Sequence, residues 1–388
     1  METQPHVYVI AGEPSGDRLG ARLIAALKSA TDDHIQFSGV GGPKMESQGL
    51  ASLFPMSELS VMGLAEVLPQ LPNLLRRIRE TAKDIRASKP DVVVTIDAPD
   101  FSLRVAKRLK GSSIPLVHYV APSVWAWKPG RAKKIAAILD HLLTLLPFEP
   151  PYFEKEGLAS TFVGHAVIES GANEGDGVAF HTKHDIAVHA NVLCVLPGSR
   201  HSEVSRLLPI IRSAIEKLKT PDLHLVLPTV ETVGAEVRQA VSTWPWPVTI
   251  VTSDAEKFDA FAASHGAIAA SGTVSLELAL ARVPYVTIYK VNKLTGMIAR
   301  RMIKTPFANI INILLDRQAV PELIQENCRA DMIASKIDDL LIGDDAAMAQ
   351  IADFEEALSK LQSSGQNPSD KAAAVVLDVI AEHAKLSD

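Results

Sequence analysis

Short, uninterrupted apolar runs, each leading into an amphipathic helical stretch, recur along most of this chain. Val7-Tyr8-Val9-Ile10-Ala11 precedes a helical pattern over residues 17–29. The strand signal returns at 91–96, entered from the helix-stopping Lys89-Pro90, and again at 115–120 and 142–146, with a helical stretch over 131–139. Strands that are apolar on both faces and alternate with helices predict a parallel, doubly wound sheet. A second alternating set runs from Asn191 to Lys290, with strands near Val192, Leu223, Val248, Ala267 and Val286. At 388 residues the chain exceeds one typical core. The expected architecture is α/β: two doubly wound parallel-sheet domains facing a cleft that holds ligands, followed by a helical C-terminal segment.

The expected boundaries are 1–170 for the first domain and 191–345 for the second. Between them, composition turns to Gly, Asn, Asp and His, so 171–190 reads as a linker or loop. Residues 346–388 read as helices. The last is apolar at Ala374, Val375, Leu377, Val379 and Ile380 and must pack on something. Two partners stay open, the first domain or another subunit, the second of which implies a homodimer.

Composition removes several function classes. With 47% apolar and 22% charged residues the chain is globular. A net charge of −6 argues against nucleic acid as a partner. Cys194 and Cys328 have no metal or redox spacing and fit a reducing, cytoplasmic setting. No signal peptide is read at the N-terminus, and no run reaches the ~18 uncharged apolar residues that a membrane-spanning helix needs.

Two turns carry the clearest chemistry. Leu196-Pro197-Gly198-Ser199-Arg200 and Ser271-Gly272-Thr273-Val274-Ser275-Leu276-Glu277 each follow an apolar run and open a helical pattern. The start of a helix offers unpaired N–H groups and the positive end of its dipole, a setting for phosphate. Arg200 adds a fixed cationic fork. Glu277, four residues after Thr273, lies one turn further in, about 6 Å by helix rise, where a carboxylate can grip ribose hydroxyls. The alternative is a pair of ordinary α/β turns.

In the first domain, the Gly12-Glu13-Pro14-Ser15-Gly16-Asp17 turn lacks both the dinucleotide G-x-G-x-x-G pattern and a Walker lysine. It suits sugar hydroxyls, or else Ser15 or Asp17 caps the first helix. Ile96-Asp97-Ala98-Pro99-Asp100-Phe101 places two acids at a strand end. Asp100 reads most simply as a helix N-cap, which leaves Asp97 as the candidate general base. With no third ligand near in sequence, no metal is expected. His118 opens a segment holding Trp125 and Trp127, followed by Lys128, Arg131, Lys133 and Lys134. Aromatics beside cations suit a sugar, a substrate phosphate or lipid headgroups. Trp125 is consistent with core, while Trp127 reads as surface. Leu64, Val67, Leu68, Leu71, Leu74, Leu75 and Ile78 recur at helical spacing despite Pro69 and Pro72, which predict a kinked or divided helix. This stripe, closed by Arg76, Arg77 and Arg79, fits either a bilayer interface or burial against the sheet. Residues 297–304 repeat the apolar-plus-basic theme.

Taken together, these motifs resemble a known family. Glu13-Pro14-Ser15-Gly16-Asp17, Gly39-Val40-Gly41-Gly42-Pro43, Val61-Met62-Gly63, the Asp97 turn and the Trp125/Trp127 segment are similar to lipid-A-disaccharide synthases. So are Leu146-Pro147-Phe148-Glu149, Val163-Gly164-His165, the two phosphate turns and residues 312–315, though a Pro expected before Asn312 is replaced by Ile311. The resemblance spans roughly residues 6 to 330, and the order of its motifs is more specific than any one of them. It implies a GT-B fold of two Rossmann-like domains and a metal-free, cofactor-free hexosyltransferase at the cytosolic face of the inner membrane of Gram-negative bacteria. The implied reaction moves 2,3-diacylglucosamine from UDP-2,3-diacylglucosamine to 2,3-diacylglucosamine 1-phosphate. By resemblance Asp97 activates the acceptor hydroxyl, and Arg200, Ser271, Gly272, Thr273, Glu277 and Asn312 bind UDP, joined by Gly198 and Ser199 from the turn. Glu13, Ser15, His118, Trp127, Lys128 and Arg131 are the acceptor candidates, and the apolar stripe meets inner-membrane lipids. Two rivals stay open: a GT-B relative acting on soluble UDP-sugars, such as a UDP-N-acetylglucosamine 2-epimerase, and a non-catalytic nucleotide-sensing membrane adaptor.

Overall fold

A computed structural model describes residues 4–59, 64–127, 130–292, 296, 305–342, 344–363 and 365–387, with side chains at all of these except 64–70, 344 and 387. Val61-Met62-Gly63, Lys128 and the 297–304 stretch lie outside the described residues, as do the side chains of Leu64, Val67 and Leu68. The chain divides into two compact units, Met1–Ala166 with Leu361–Asp388, and Val167–Lys360.

The first unit holds six parallel strands, β1 (His6–Ala11), β2 (Gln36–Val40), β3 (Val92–Ile96), β4 (Leu116–Tyr119), β5 (His141–Thr144) and β6 (Ala159–Phe162), in the order β2-β1-β3-β4-β5-β6. Alternation along β1 sends Val7 and Val9 to one face and Tyr8 and Ile10 to the other, all wholly buried. On the first face they pack with Leu23, Ile24 and Leu27 of helix Pro14–Ala30. Ala372, Ala373, Val376 and Val379 of the final helix, Pro368–Ser387, join the same cluster. The other face is covered by Ile78 and Ile85 of helix Leu64–Ser88 and by Phe101 and Val105 of helix Pro99–Leu109. Each such side chain contributes about 1.5–3 kcal/mol by leaving water. Helix Leu64–Ser88 runs through Pro69 and Pro72 as one element, where the prolines predict a kink or a division.

The second unit has β7 (Asn191–Leu196), β8 (Leu223–Pro228), β9 (Val248–Val251), β10 (Gly266–Ala270), β11 (Tyr285–Tyr289) and β12 (Glu322–Ile324), all parallel in the order β12-β11-β10-β7-β8-β9. Renumbered from β7 this is the 3-2-1-4-5-6 order of nucleotide-binding sheets. The segment 171–190 holds helix Gly177–Lys183, capped by the Asp176 side chain, which accepts the Ala179 N–H at 2.9 Å. Phe180 is buried against Val226, Val251 and Ala260. A Cβ on Gly175 would stand 2.0 Å from the Phe258 carbonyl oxygen, and one on Gly177 2.6 Å from that of Ala262. Gly175 and Gly177 thereby let two backbones come into contact.

Candidate functional site

In each sheet the strand order reverses at one place, and ligands of open α/β sheets bind beyond the strand C-termini there. In the first unit that place lies between β1 and β3, and the residues following both strands meet. The Ser15 hydroxyl donates to Asp97 Oδ2 at 3.1 Å, and the Ala98 N–H donates to Oδ1 at 2.9 Å. A Cβ on Gly12 would come within 2.9 Å of the Ala98 Cβ, so glycine permits this approach. The backbone turns sharply here: Asp97 has φ +50°, Ala98 +43°, and Val120, just beyond β4, +85°. Left-handed conformations at non-glycine residues cost about 1–3 kcal/mol each and concentrate at functional sites. Asp97 is half-buried, and the Ser102 hydroxyl donates to its carbonyl at 2.8 Å.

The N-cap of helix Pro99–Leu109 is Ala98, with no side-chain cap, and Asp100 stands exposed in the first turn. Neither Ser15 nor Asp17 caps helix Pro14–Ala30, whose N-cap is Glu13. The buried Asp17 carboxylate accepts the N–H groups of Gly42, Lys44 and Met45 at 2.9–3.0 Å, capping the short helix Pro43–Ser47. His118 is wholly buried in β4, with Nδ1 2.7 Å from Thr95 Oγ1. Burial, helped by the Arg131 charge, lowers its pKa to about 4, so it is neutral at pH 7. Its Nε2 is buried with no hydrogen-bond partner among the described residues. Trp127 is 40% exposed, and Arg131 opens helix Arg131–Ala136 half-buried. In the apolar stripe, Leu71 is half-buried while Leu74 and Leu75 pack against the core beside Ile78. Arg77 pairs with Glu58 and Glu80 and stacks over the Phe54 ring at 4.4 Å, so its charge is spent within the unit. That guanidinium holds the Glu58 carboxyl well below its usual range.

In the second unit the reversal lies between β7 and β10, the strands that feed the two phosphate turns. Gly198 has φ +107°, and Arg200 is the N-cap of helix His201–Ile215. Glu203, which sequence reasoning passed over, folds back onto this turn. It accepts the Ser199 N–H at 3.1 Å and Arg200 Nη1 at 3.0 Å. The chain's own carboxylate thus sits where an anion was expected. The signal was available: an acid three residues after an N-cap reaches back to it. At the second turn the Ser271 N–H is taken by the Ile288 carbonyl at 3.1 Å, while Gly272 and Thr273 are exposed. Beyond its own chain neighbours, no described atom lies within 4 Å of where a Gly272 Cβ would stand, so the crowding seen at Gly198 is missing. Glu277 meets Lys257, a second residue not foreseen, whose Nζ lies 3.1 and 3.0 Å from the two carboxylate oxygens. Asn312 is fully buried. Its amide donates to the carbonyl of Val320 and to Glu322 Oε1, and its oxygen accepts the N–H groups of Ala319 and Val320, all at 2.8 Å. That fills its hydrogen-bonding capacity, so a UDP contact is not retained for it.

A family model described as lipid-A-disaccharide synthetase matches residues 7–376. The chain belongs to the lipid-A-disaccharide synthetase family. A lipid-A-disaccharide synthase of Rhodospirillum centenum is 54% identical over 378 residues, covering 96% of this chain and 94% of that relative. A solved putative UDP-N-acetylglucosamine 2-epimerase from Listeria monocytogenes superposes with a TM-score of 0.67 at 14% identity, covering 99% of this chain and 98% of that one. Spinosyn rhamnosyltransferase, solved with thymidine diphosphate, gives 0.61 at 13% identity, covering 96% and 100%. These two likenesses establish the GT-B-like fold. Membership in the synthetase family makes the chain a hexosyltransferase and does not favour the epimerase or adaptor readings.

Proposed function

We propose that this synthetase-family chain transfers 2,3-diacylglucosamine from its UDP ester to the 6-hydroxyl of 2,3-diacylglucosamine 1-phosphate, with inversion. The observation that carries the reading is Asp97: a half-buried carboxylate beyond β3, where the strand order reverses, held by one N–H and one rotatable hydroxyl. The acceptor hydroxyl gives its proton to Asp97 while its oxygen attacks the anomeric carbon of the donor. The bond from that carbon to the diphosphate breaks, and its electron pair leaves with UDP. Arg200 and the backbone of Gly198, Ser199, Ser271, Gly272 and Thr273 would offset the charge that grows on the leaving diphosphate, and Glu277 would take the ribose hydroxyls. Glu13, Ser15, Trp127 and Arg131 are the proposed acceptor contacts.

No described helix is long and apolar enough to cross a membrane. Peripheral attachment to the cytosolic face of the inner membrane belongs to the same proposal, because both substrates carry acyl chains. The test is incubation of the full chain with both substrates in detergent, followed by mass spectrometry for the tetraacyl disaccharide 1-phosphate and NMR of the new anomeric proton. A β-linked product that Asp97→Asn fails to form supports the reading. Tight UDP binding without that product overturns the acceptor assignment, and an α linkage overturns inversion.

A further inference from the structure

The segment leaving β4 carries Trp127 and, after the turn at Val120, includes short-range bonds from the Val124 N–H to Pro122 at 2.6 Å and from the Ala126 and Trp127 N–H groups to Ser123 at 3.2 and 3.4 Å. Glu149, 3% exposed, ties it to the end of the neighbouring strand. Oε1 accepts the Trp125 indole N–H at 3.1 Å. Oε2 accepts the N–H groups of Leu145 at 3.2 Å and Leu146 at 3.0 Å, immediately after β5. The Phe148 ring meets Trp125 edge-on, centroids 5.2 Å apart at 90°.

We propose that Glu149 is a positioning residue for acceptor binding: its carboxylate clamps Trp125, and so places Trp127 beyond β4, next to the β3 end that carries Asp97. The proposal rests on the reading of the first unit as the acceptor side. All three groups around the carboxylate are donors, so the fork needs an acceptor on both arms. A glutamine turns an NH₂ toward one set of donors and loses that half. Burial pushes the Glu149 carboxyl up to about 7 against the pull of these donors.

Glu149→Gln and Trp125→Phe in the full chain provide the test. In each, the KM for acceptor rises about tenfold, while kcat at saturating acceptor and UDP affinity stay within about twofold of wild type. The double variant is no worse than the single ones, as expected of two groups sharing one interaction. Unchanged KM values in folded Glu149→Gln overturn the proposal, as does a fall in kcat together with a rise in both KM values, which marks a merely structural role. Should Glu149→Gln not fold, Trp125→Phe, which leaves the backbone bonds of Glu149 in place, carries the same comparison. The clamp is also read without turnover: the Trp125 indole N–H, assigned by its absence in Trp125→Phe, exchanges at least about tenfold faster in Glu149→Gln. Equal exchange overturns the clamp. A wild type that forms no disaccharide overturns the functional reading instead, with the exchange result unaffected.

Discussion

Asp97 holds one oxygen on the Ala98 N–H and the other on the Ser15 hydroxyl, a donor that can rotate away when a substrate hydroxyl arrives. If it is the base, Asp97→Asn lowers turnover by about 10²–10⁴. UDP affinity by calorimetry stays unchanged, and retained turnover rules the role out. Asn312 has no group to spare. Asn312→Ala strips four internal hydrogen bonds and lowers unfolding free energy in urea by about 2–4 kcal/mol. A stable variant that has lost only UDP binding would show that Asn312 serves the ligand. Glu203 sits on the turn that would receive the diphosphate. Glu203→Gln removes a like charge there and raises UDP affinity about threefold. Weaker binding would mean that the carboxylate is needed to shape the turn.

Helix Pro43–Ser47 depends on a side chain from another element, the buried Asp17 of helix Pro14–Ala30. Asp17→Ala leaves three N–H groups, those of Gly42 and Met45 buried, without their acceptor and costs about 2–3 kcal/mol by denaturant unfolding. A neutral result would show that water replaces the carboxylate. Such long-range caps are invisible to a local reading, which looks for the cap beside its own helix. The same limit explains the strands. β1, β3, β4 and β5 are legible because interior strands are apolar on both faces. β2, β6 and β12 are short edge strands with partly exposed faces, and their sequences carry no continuous apolar run.

Across the chain, burial keeps several histidines neutral. His118 and His165 are lowered to about 4, and His141, His224 and His265 are lowered as well. A histidine with a depressed folded pKa contributes stability that is full above pH 6.5 and is lost as the pH falls toward 4, because the unfolded chain binds the proton first. For the wholly buried His118 this amounts to about 3 kcal/mol. Glu149 works in the opposite sense. Its raised pKa favours the folded state below about 4.5 and withdraws that stability as the pH climbs to about 7. Five histidines outweigh one acid, so calorimetric Tm falls between pH 6.5 and 4.5. In His118→Gln the decline is shallower; an unchanged slope would remove His118 as a contributor.

The alternation of apolar runs and amphipathic stretches determines, without any tertiary information, that the chain forms parallel α/β sheets, because a strand buried on both faces has to be apolar throughout. The ordered motifs determine the family, and turns such as Leu196 to Arg200 point to phosphate because backbone N–H groups at a helix start are a local property. Tertiary structure decides which polar side chains remain for chemistry. Asp17 and Asn312 look as reactive in sequence as Asp97 and Glu277, yet each is consumed by partners 7 to 28 residues distant. It also decides that residues 361–388 belong with the first unit, since Ala372, Val376 and Val379 find their apolar complement on helix Pro14–Ala30 and β1, hundreds of residues upstream. A local pattern can state that a face must be covered; only the folded chain supplies what covers it.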